Sequence, residues 1–217
     1  MRMEVGPLMR ATACILLLVL LGTSLLITGC SGARLMMPTP HVLTQEGQDI
    51  YSNILPELKS TEVQLFYVTD RKPEQDEEGN LRYGFGRSAS LAFGKVVVYL
   101  GTDITWDDLL EASRSQERLK PVKMAVKSIE EILRGPETPL PYKQVDGKVV
   151  EQPDYSVQRA RGNETFRKQL LEQLELTQRN EVFIYIHGYH NTFDDAAFAM
   201  AELWHFLGRI GVPIIYS

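Results

Sequence analysis

One stretch near the end of the chain constrains the fold more than any other: residues 181–195, Glu-Val-Phe-Ile-Tyr-Ile-His-Gly-Tyr-His-Asn-Thr-Phe-Asp-Asp. Its apolar run, residues 182–186, predicts a strand buried on both faces, as in a parallel sheet. Gly188 allows a sharp turn after the strand. Thr192 followed by Asp195 resembles a capping box and predicts a helix start. Such a unit exposes main-chain N–H groups at the carboxyl end of a sheet, where α/β enzymes place anion and oxyanion sites.

The residues on either side of this stretch extend it into a repeated α/β pattern. Leucines and a phenylalanine at helical spacing predict an amphipathic helix over residues 163–177, before the strand. A second helix is expected over residues 193–207, with Gly208 and Gly211 as stop signals. Residues 212–216 are again a short apolar strand. The expected unit is strand–helix–strand, with a right-handed crossover between parallel strands.

The sequence of the first half of the domain predicts antiparallel strands. Residues 62–68 and 91–100 read as two strands joined by a long charged loop, which indicates an antiparallel pair at the edge of a sheet. Residues 122–129 favour a third strand over a helix start. Thr105 is expected to cap a short helix, and residues 135–162 to form a surface insertion with a hairpin turn at Asp146-Gly147.

Charge and cysteine content exclude several classes of function. The chain has 217 residues, a net charge of −5 and no long basic tract, so nucleic acid is not expected as a partner. The two cysteines, Cys14 and Cys30, both lie in the first thirty residues. The folded part therefore has neither a disulfide nor a cysteine-ligated metal, and no cofactor is predicted.

The N-terminus has the layout of a secretory signal. Arg2 and Arg10 precede an apolar run over residues 11–27, and residues 27–30, Ile-Thr-Gly-Cys, resemble a bacterial lipobox. We expect a signal peptide over residues 1–29, lipid attachment at Cys30, a tether over residues 30–60 and the domain over residues 61–217. Acyl chains on Cys30 would hold the protein to a membrane. The alternative is an uncleaved transmembrane anchor with Cys30 incidental.

Ser31 directly follows the lipidation cysteine. It resembles the pattern that permits outer-membrane sorting in Gram-negative bacteria. The expected location is the bacterial cell envelope, as a lipid-anchored protein of the outer membrane that faces the periplasm.

Several segments together resemble the N-terminal half of an α/β hydrolase. The chain is most similar to a bacterial branch catalogued as a domain of unknown function and described as esterase- or lipase-like. The resemblance covers residues 64–217. It rests on Phe66-Tyr-Val-Thr-Asp-Arg71, Tyr83-Gly84, Phe93-Gly-Lys-Val-Val-Val98 and, most specifically, on Phe183-Ile-Tyr-Ile-His-Gly-Tyr-His-Asn-Thr-Phe193.

The resemblance implies an oxyanion hole for ester cleavage. In this fold the residue after the His-Gly turn supplies one main-chain N–H, which is Tyr189 here, while His187 and Gly188 shape the turn. The Gly-x-Ser-x-Gly nucleophile, the acid and the histidine of a triad should follow later in the chain, and none is present. The nearest match, Gly86-Arg-Ser-Ala-Ser90, precedes a strand instead of following one. We therefore expect an inactive N-terminal fragment of a hydrolase for a small ester.

Two other interpretations use the same residues. His187, His190 and His205, with Asp194 and Asp195, could suggest a metal site, but their spacing does not fit one helix face and no metal is predicted. The chain could also be a non-catalytic envelope lipoprotein or a decayed remnant, with a binding or structural role. An in-frame Gly-x-Ser-x-Gly soon after residue 217 would favour the enzyme.

Overall fold

The computed structural model describes residues 34–44, 49–137, 142–177 and 179–217. These residues form a five-stranded sheet in the order β3-β2-β1-β7-β6, a separate hairpin of β4 and β5, and three α-helices. The elements are β1 Glu62–Gln75, β2 Leu81–Leu100, α1 Trp106–Arg114, β3 Met124–Arg134, β4 Tyr142–Val145, β5 Lys148–Glu151, α2 Pro153–Glu175, β6 Val182–Ile186, α3 Phe193–Phe206 and β7 Val212–Tyr216, with short 3-10 helices at His41–Thr44 and Pro56–Leu58.

The sheet confirms the α/β class and the expected mixture of strand directions. Strands β6, β7 and β1 are mutually parallel, whereas β2 runs antiparallel to both β1 and β3. Helix α3 connects β6 to β7, so the strand–helix–strand unit predicted from the sequence is present. Gly208 and Gly211 follow α3 with φ of +75° and +63°, a conformation that glycine adopts without the steric cost of a Cβ.

The first two strands are longer than predicted. The charged segment expected as a loop is instead paired, with Arg71 opposite Arg87 and Pro73 opposite Tyr83. The register shifts on both sides of Arg71, so the two strands continue past the sheet as a twisted antiparallel arm. The pair is also not at the edge, because β1 lies between β2 and β7. Charged and polar residues concealed this part of the strands because most side chains of the arm, other than Arg71 and Tyr83, are not buried and need no apolar alternation.

The predicted surface insertion contains regular structure. Asp146 and Gly147, with φ of +51° and +75°, form the two-residue turn between β4 and β5, as expected from the sequence. Helix α2 then begins at Pro153, ten residues before the predicted start. Proline is well suited to a first helical position, where its missing N–H would have no helical partner. The first turns of α2 consist mostly of polar residues, so no apolar residues at helical spacing indicate a helix there.

Two hydrophobic clusters hold helices on opposite faces of the sheet. The larger one packs α3 and α1 against β1, β2 and β3, and includes Leu65, Val96, Phe193 and Trp204. The smaller one joins Phe66, Val212 and Ile214 to the apolar side of α2. Because β1 alternates between the faces, Phe66 contributes to one cluster and its neighbours to the other.

Strand β6 is not buried on both faces, which corrects the prediction from its apolar run. Phe183 and Tyr185 pack against the larger cluster, but Ile184 and Ile186 are 64% and 71% exposed on the other face. Two features of the described chain explain this exposure. Strand β6 lies at the edge of the sheet, and the apolar side of α2 covers β1 and β7 instead.

The segment before the sheet packs against the domain over part of its length. Met36, Tyr51 and Ile54 are buried, and the N–H of Met36 donates to the carbonyl of Val122 at 2.9 Å. Residues 34–44 and 49–60, which the sequence indicated as tether, thus include side chains that belong to the core. The lipidation site, Cys30, lies outside the described residues. None of the helices in the described ranges is long and apolar enough to cross a membrane.

Candidate functional site

The candidate site lies where the parallel strands end. Val68 of β1 pairs with Tyr216 of β7, which in turn pairs with Ile186 of β6, so the carboxyl ends of three strands meet at one level. The turn of residues 187–191 leaves β6 at this level, and α3 begins directly after it. The turn that the sequence singled out is therefore at the edge where α/β proteins bind ligands.

Local interactions shape this turn. The Nδ1 of His187 donates to the carbonyl of Gly188 at 2.7 Å, and His190 adopts a left-handed φ of +62°. Gly188 does not have a left-handed φ, and a Cβ added to it would meet no atom within 4 Å. The sharp turn thus depends on His190, whereas Gly188 leaves open space above the main chain. That space matches a position where a ligand approaches the backbone closely.

The main-chain N–H groups of Gly188 and Tyr189 belong to the same turn. Neither donates to an acceptor within the described residues, and the Tyr189 side chain is 97% exposed. Unpaired donors at a strand end can bind a carboxylate, a phosphate or the oxyanion of an ester-cleavage intermediate. The assignment of His187, Gly188 and Tyr189 to an oxyanion hole stays a prediction.

The buried side chain of Arg71 holds the turn in place, and the hydrogen bonds that do this were not predicted from the sequence. It is only 1% exposed, and its guanidinium reaches three parts of the fold. Its Nη2 donates to the carbonyl of Asn191 at 2.7 Å, its Nη1 to the carbonyl of Gly84 at 2.7 Å, and its Nε to Ser217 Oγ at 2.9 Å. One side chain therefore joins the turn, the β1–β2 arm and the end of β7.

The sequence carries a signal that could have identified Arg71. Inward-facing residues of β1 recur at every second position, and Arg71 continues that series. The series is Val63, Leu65, Tyr67, Thr69 and Arg71, all of them buried. An arginine on the buried face of a strand is uncommon unless polar groups satisfy it. From the sequence, Asp70 and Arg71 either form a salt bridge under the site or end the strand. The second interpretation, which the sequence favours, is wrong because β1 continues to Gln75.

Charged groups around the start of α3 balance the buried guanidinium. Burial lowers the pKa of Arg71, and Arg87 adds to this, while Asp70, Asp194 and Asp195 oppose it. Burial also raises the pKa of Asp194. For Asp195 burial acts in the same direction, but hydrogen bonds from the hydroxyl and N–H of Thr192 lower its pKa overall. The expected capping box is present, with Thr192 Oγ1 and the N–H of Asp195 3.0 Å apart.

Aromatic side chains border the open side of the turn. Phe85, on the β1–β2 arm, is exposed and lies 5.5 Å from the ring of His190, measured between ring centroids. His190 in turn lies 5.8 Å from the ring of Tyr189. The guanidinium of Arg71 is 5.9 Å from the centre of the Phe85 ring. The arm and the turn thus form one aromatic rim beside the free N–H groups.

One serine–histidine pair in the core imitates a catalytic dyad but is structural. Ser113 Oγ and His205 Nε2 are 2.8 Å apart, and both residues are fully buried. The hydroxyl donates to the carbonyl of Leu109 at 2.6 Å, so it accepts from the histidine. Arg209 Nε donates to His205 Nδ1 at 3.2 Å, which assigns the ring proton to Nε2. Burial lowers the pKa of His205 well below 6.5, so the ring is neutral.

The other residues weighed from the sequence do not join the turn. His205 lies about 18 Å along α3 from the start of that helix, so it is far from His187 and His190. Across the described ranges, no group of histidine, cysteine and acidic side chains is arranged to hold a metal ion. Ser88 and Ser90 lie within β2, with their hydroxyl oxygens 2.9 Å apart, and not on a strand-to-helix turn.

A comparison with known protein families gives a match to the part of the chain that contains the candidate turn. A family model described as an alpha/beta hydrolase of unknown function (DUF900) matches residues 162–217. The match spans most of α2, all of β6, the turn, α3 and β7, and it supports the α/β-hydrolase superfamily for this region. No curated protein and no solved structure matches the chain.

Proposed function

We propose that this chain is the N-terminal part of a lipid-anchored serine hydrolase that cleaves a small carboxylic ester. The turn of residues 187–191 supplies the N–H of Tyr189 to the oxyanion hole. The serine, the acid and the histidine of the triad come from residues beyond Ser217. The observation that carries the proposal is the pair of unpartnered N–H groups, on Gly188 and Tyr189, at the carboxyl end of β6.

The chemistry of ester cleavage explains why such a turn needs rigid support. The tetrahedral intermediate places negative charge on oxygen, and donors fixed in advance stabilise that charge without reorganisation. Loss of one donor costs on the order of 3 kcal/mol in transition-state stabilisation. Arg71 restrains the turn through the carbonyl of Asn191, and the capping box restrains the residue that follows. The positive charge of the guanidinium next to the turn also favours an anion bound there.

The exposed side of β6 supports the idea that further structure completes the site. Ile184 and Ile186 leave apolar surface in solvent beside a strand edge whose N–H and C=O groups have no neighbouring strand in the described sheet. Folded proteins usually cover or pair such an edge. A nucleophile on a strand added there would stand next to the turn of residues 187–191.

Lipid attachment at Cys30 belongs to the same proposal. The lipobox-like residues 27–30 and the basic, then apolar, N-terminus support it. Incorporation of radioactive palmitate into the wild-type chain, and its loss in Cys30→Ala, is the expected result. Labelling that persists in the variant would refute lipid attachment at Cys30 and favour the alternative, an uncleaved transmembrane anchor.

A fluorophosphonate probe, which reacts only with activated serines, tests the catalytic part. The locus is sequenced past codon 217, and both the 217-residue chain and any longer in-frame product are treated with the probe. We expect no labelling of the short chain, and labelling of the long one at a Gly-x-Ser-x-Gly serine. A stop codon after Ser217, with a matching intact mass and no labelling, would favour a non-catalytic envelope lipoprotein.

A further inference from the structure

One face of the β1–β2 arm lies against the candidate turn and the start of α3. Tyr83 and Phe85 are two residues apart in β2, so their side chains share a face of the strand. Tyr83 is buried, and its ring centroid is 4.8 Å from that of Phe193, the first residue of α3. Phe85 continues this contact outward, since its ring lies beside that of His190. The arm therefore brings an aromatic side chain from a distant segment of the chain to the turn.

Phe85 keeps most of its surface free although it contacts the turn. It is 60% exposed, whereas Arg71, whose guanidinium lies over the same ring, is buried. The guanidinium therefore covers the inner face of the ring, and the outer face is left to solvent. Ligand sites combine such aromatic surface with a few polar groups that fix the orientation of the ligand. The N–H groups of the turn are polar groups of this kind.

The aromatic rim and the unpaired N–H groups are adjacent along the backbone. The N–H of Tyr189 precedes the Tyr189 side chain, and the next residue is His190. Because consecutive Cα atoms are about 3.8 Å apart, a ring attached close to an oxygen bound at this N–H can contact the ring of His190. The left-handed φ of His190 costs free energy for a residue with a Cβ, and such conformations cluster at ligand sites.

We propose that the aromatic rim, formed by Phe85, Tyr189 and His190, binds an aryl group on the acyl side of the ester. The inference rests on the proposed function and names its substrate class: small esters of aryl-substituted acids, such as arylacetates. Aromatic rings pack edge-to-face or offset against one another, and this geometry stabilises a ring pair beyond the area that it buries. A saturated ring of the same size lacks that contribution.

The order of the strands decides which part of the ester meets the rim. The arm extends from β1 and β2, and β7 separates β1 from β6. The proposed nucleophile stands beyond β6, in the opposite direction. When the serine oxygen bonds to the carbonyl carbon, the bond to the alcohol breaks and the triad histidine gives the alcohol oxygen its proton. The alcohol must therefore face the triad, which leaves the acyl group on the side of the arm.

Binding of carboxylates to the 217-residue chain tests the proposal without requiring catalysis. A carboxylate oxygen can occupy the place of the ester oxygen at the N–H groups. Phenylacetate and cyclohexylacetate carry the same carboxylate and a six-membered ring, so their difference isolates the aromatic character, and acetate has no ring. The probes are titrated into the isotope-labelled full chain in detergent micelles. The amide resonances of Gly188 and Tyr189 report binding by two-dimensional NMR.

We expect phenylacetate to shift both amide resonances and to bind about 2–10-fold more tightly than cyclohexylacetate, which is the contribution of an aromatic pair expressed as affinity. Phe85→Leu keeps apolar surface at an exposed position but removes the ring, so it should abolish this preference. Tyr142→Leu, at an exposed aromatic position of the β4–β5 hairpin, is the matched control and should retain it.

The possible results separate this inference from the proposed function. If none of the three carboxylates shifts the amides of Gly188 and Tyr189, the oxyanion role of the turn is refuted, and this inference with it. If the amides shift but cyclohexylacetate binds as tightly as phenylacetate, only the aryl specificity is refuted. A preference for phenylacetate that survives in Phe85→Leu, or whose shifts centre on residues away from the rim, would also overturn the role of Phe85.

Discussion

Replacement of Arg71 by methionine removes the link between the turn, the arm and the last strand with little change in side-chain length. Three acceptors, the carbonyls of Gly84 and Asn191 and the hydroxyl of Ser217, lose their charged donor. Each such loss costs about 1–3 kcal/mol, and the lower end applies to Gly84 and Asn191, which are half-buried and reached by water. Ser217 is buried, so the gross cost over the three acceptors is at least about 3 kcal/mol. Methionine is uncharged and does not have the desolvation cost of a buried charge, which offsets part of this loss. We therefore expect the free energy of unfolding to fall by about 2 kcal/mol.

Urea unfolding of the full chain in detergent micelles, followed by far-ultraviolet circular dichroism, measures this loss. The matched control is Arg87→Met, which removes an arginine from the same arm. Arg87 pairs with Asp70, but the two side chains are 51% and 35% exposed, so solvent screens the pair. An exposed ion pair contributes at most about 1 kcal/mol, so the control should change the free energy of unfolding far less.

The Arg71 result can contradict the reasoning in two ways. A variant as stable as wild type would show that the guanidinium gains no more from its three hydrogen bonds than it loses by burial. Equal losses in Arg71→Met and Arg87→Met would show that general charge balance, and not the specific contacts, sets the stability of the arm. Hydrogen exchange at the amides of Thr192 and Asp195, which are hydrogen-bonded directly after the turn, provides a local readout, because faster exchange is expected only when the turn loses its support.

Three further substitutions have distinct expected outcomes. Gly188→Ala should leave the unfolding free energy within about 0.5 kcal/mol of wild type, because its Cβ meets no atom, yet it should slow ester cleavage by the complete enzyme. Thr192→Ala should cost about 1 kcal/mol in urea unfolding by removing the capping box; no loss would contradict this. Burial holds the pKa of His205 below its unfolded value of 6.5, so its contribution to stability is full above that pH and is lost as pH falls toward the folded pKa. His205→Gln, which keeps one donor and one acceptor, should flatten this fall in urea midpoints between about pH 7 and 5, and an unchanged slope would exclude His205 as its source.

Local sequence patterns were sufficient for much of the α/β framework. Strand β7, helix α3 and the hairpin turn at Asp146-Gly147 were each predicted from the pattern of a few neighbouring residues. The capping boxes at Thr105 and Thr192 are of the same kind, since each joins positions three residues apart. The place of the candidate turn, between β6 and α3, followed from the same local signals.

Long-range contacts account for what the sequence did not predict. Residues 73–75, which form no apolar pattern, belong to β1 because residues 81–83 of β2 pair with them. The polar first turns of α2 show no period because little of that part is buried. The alternation along β1 indicates that Arg71 faces inward, but it does not identify the three acceptors, which come from residues 84, 191 and 217.

The sequence by itself determined the kinds of elements in this protein, their order and the turn that carries the candidate site. Apolar runs, cap residues and left-handed glycines act within one element, so their effect can be read along the chain. Only the tertiary structure decided that β6 lies at an edge, that residues 34–37 dock beside β3 and that Arg71 supports the turn. Those outcomes depend on which distant surfaces meet, and the free energy of burial and hydrogen bonding at those contacts is set by the whole fold.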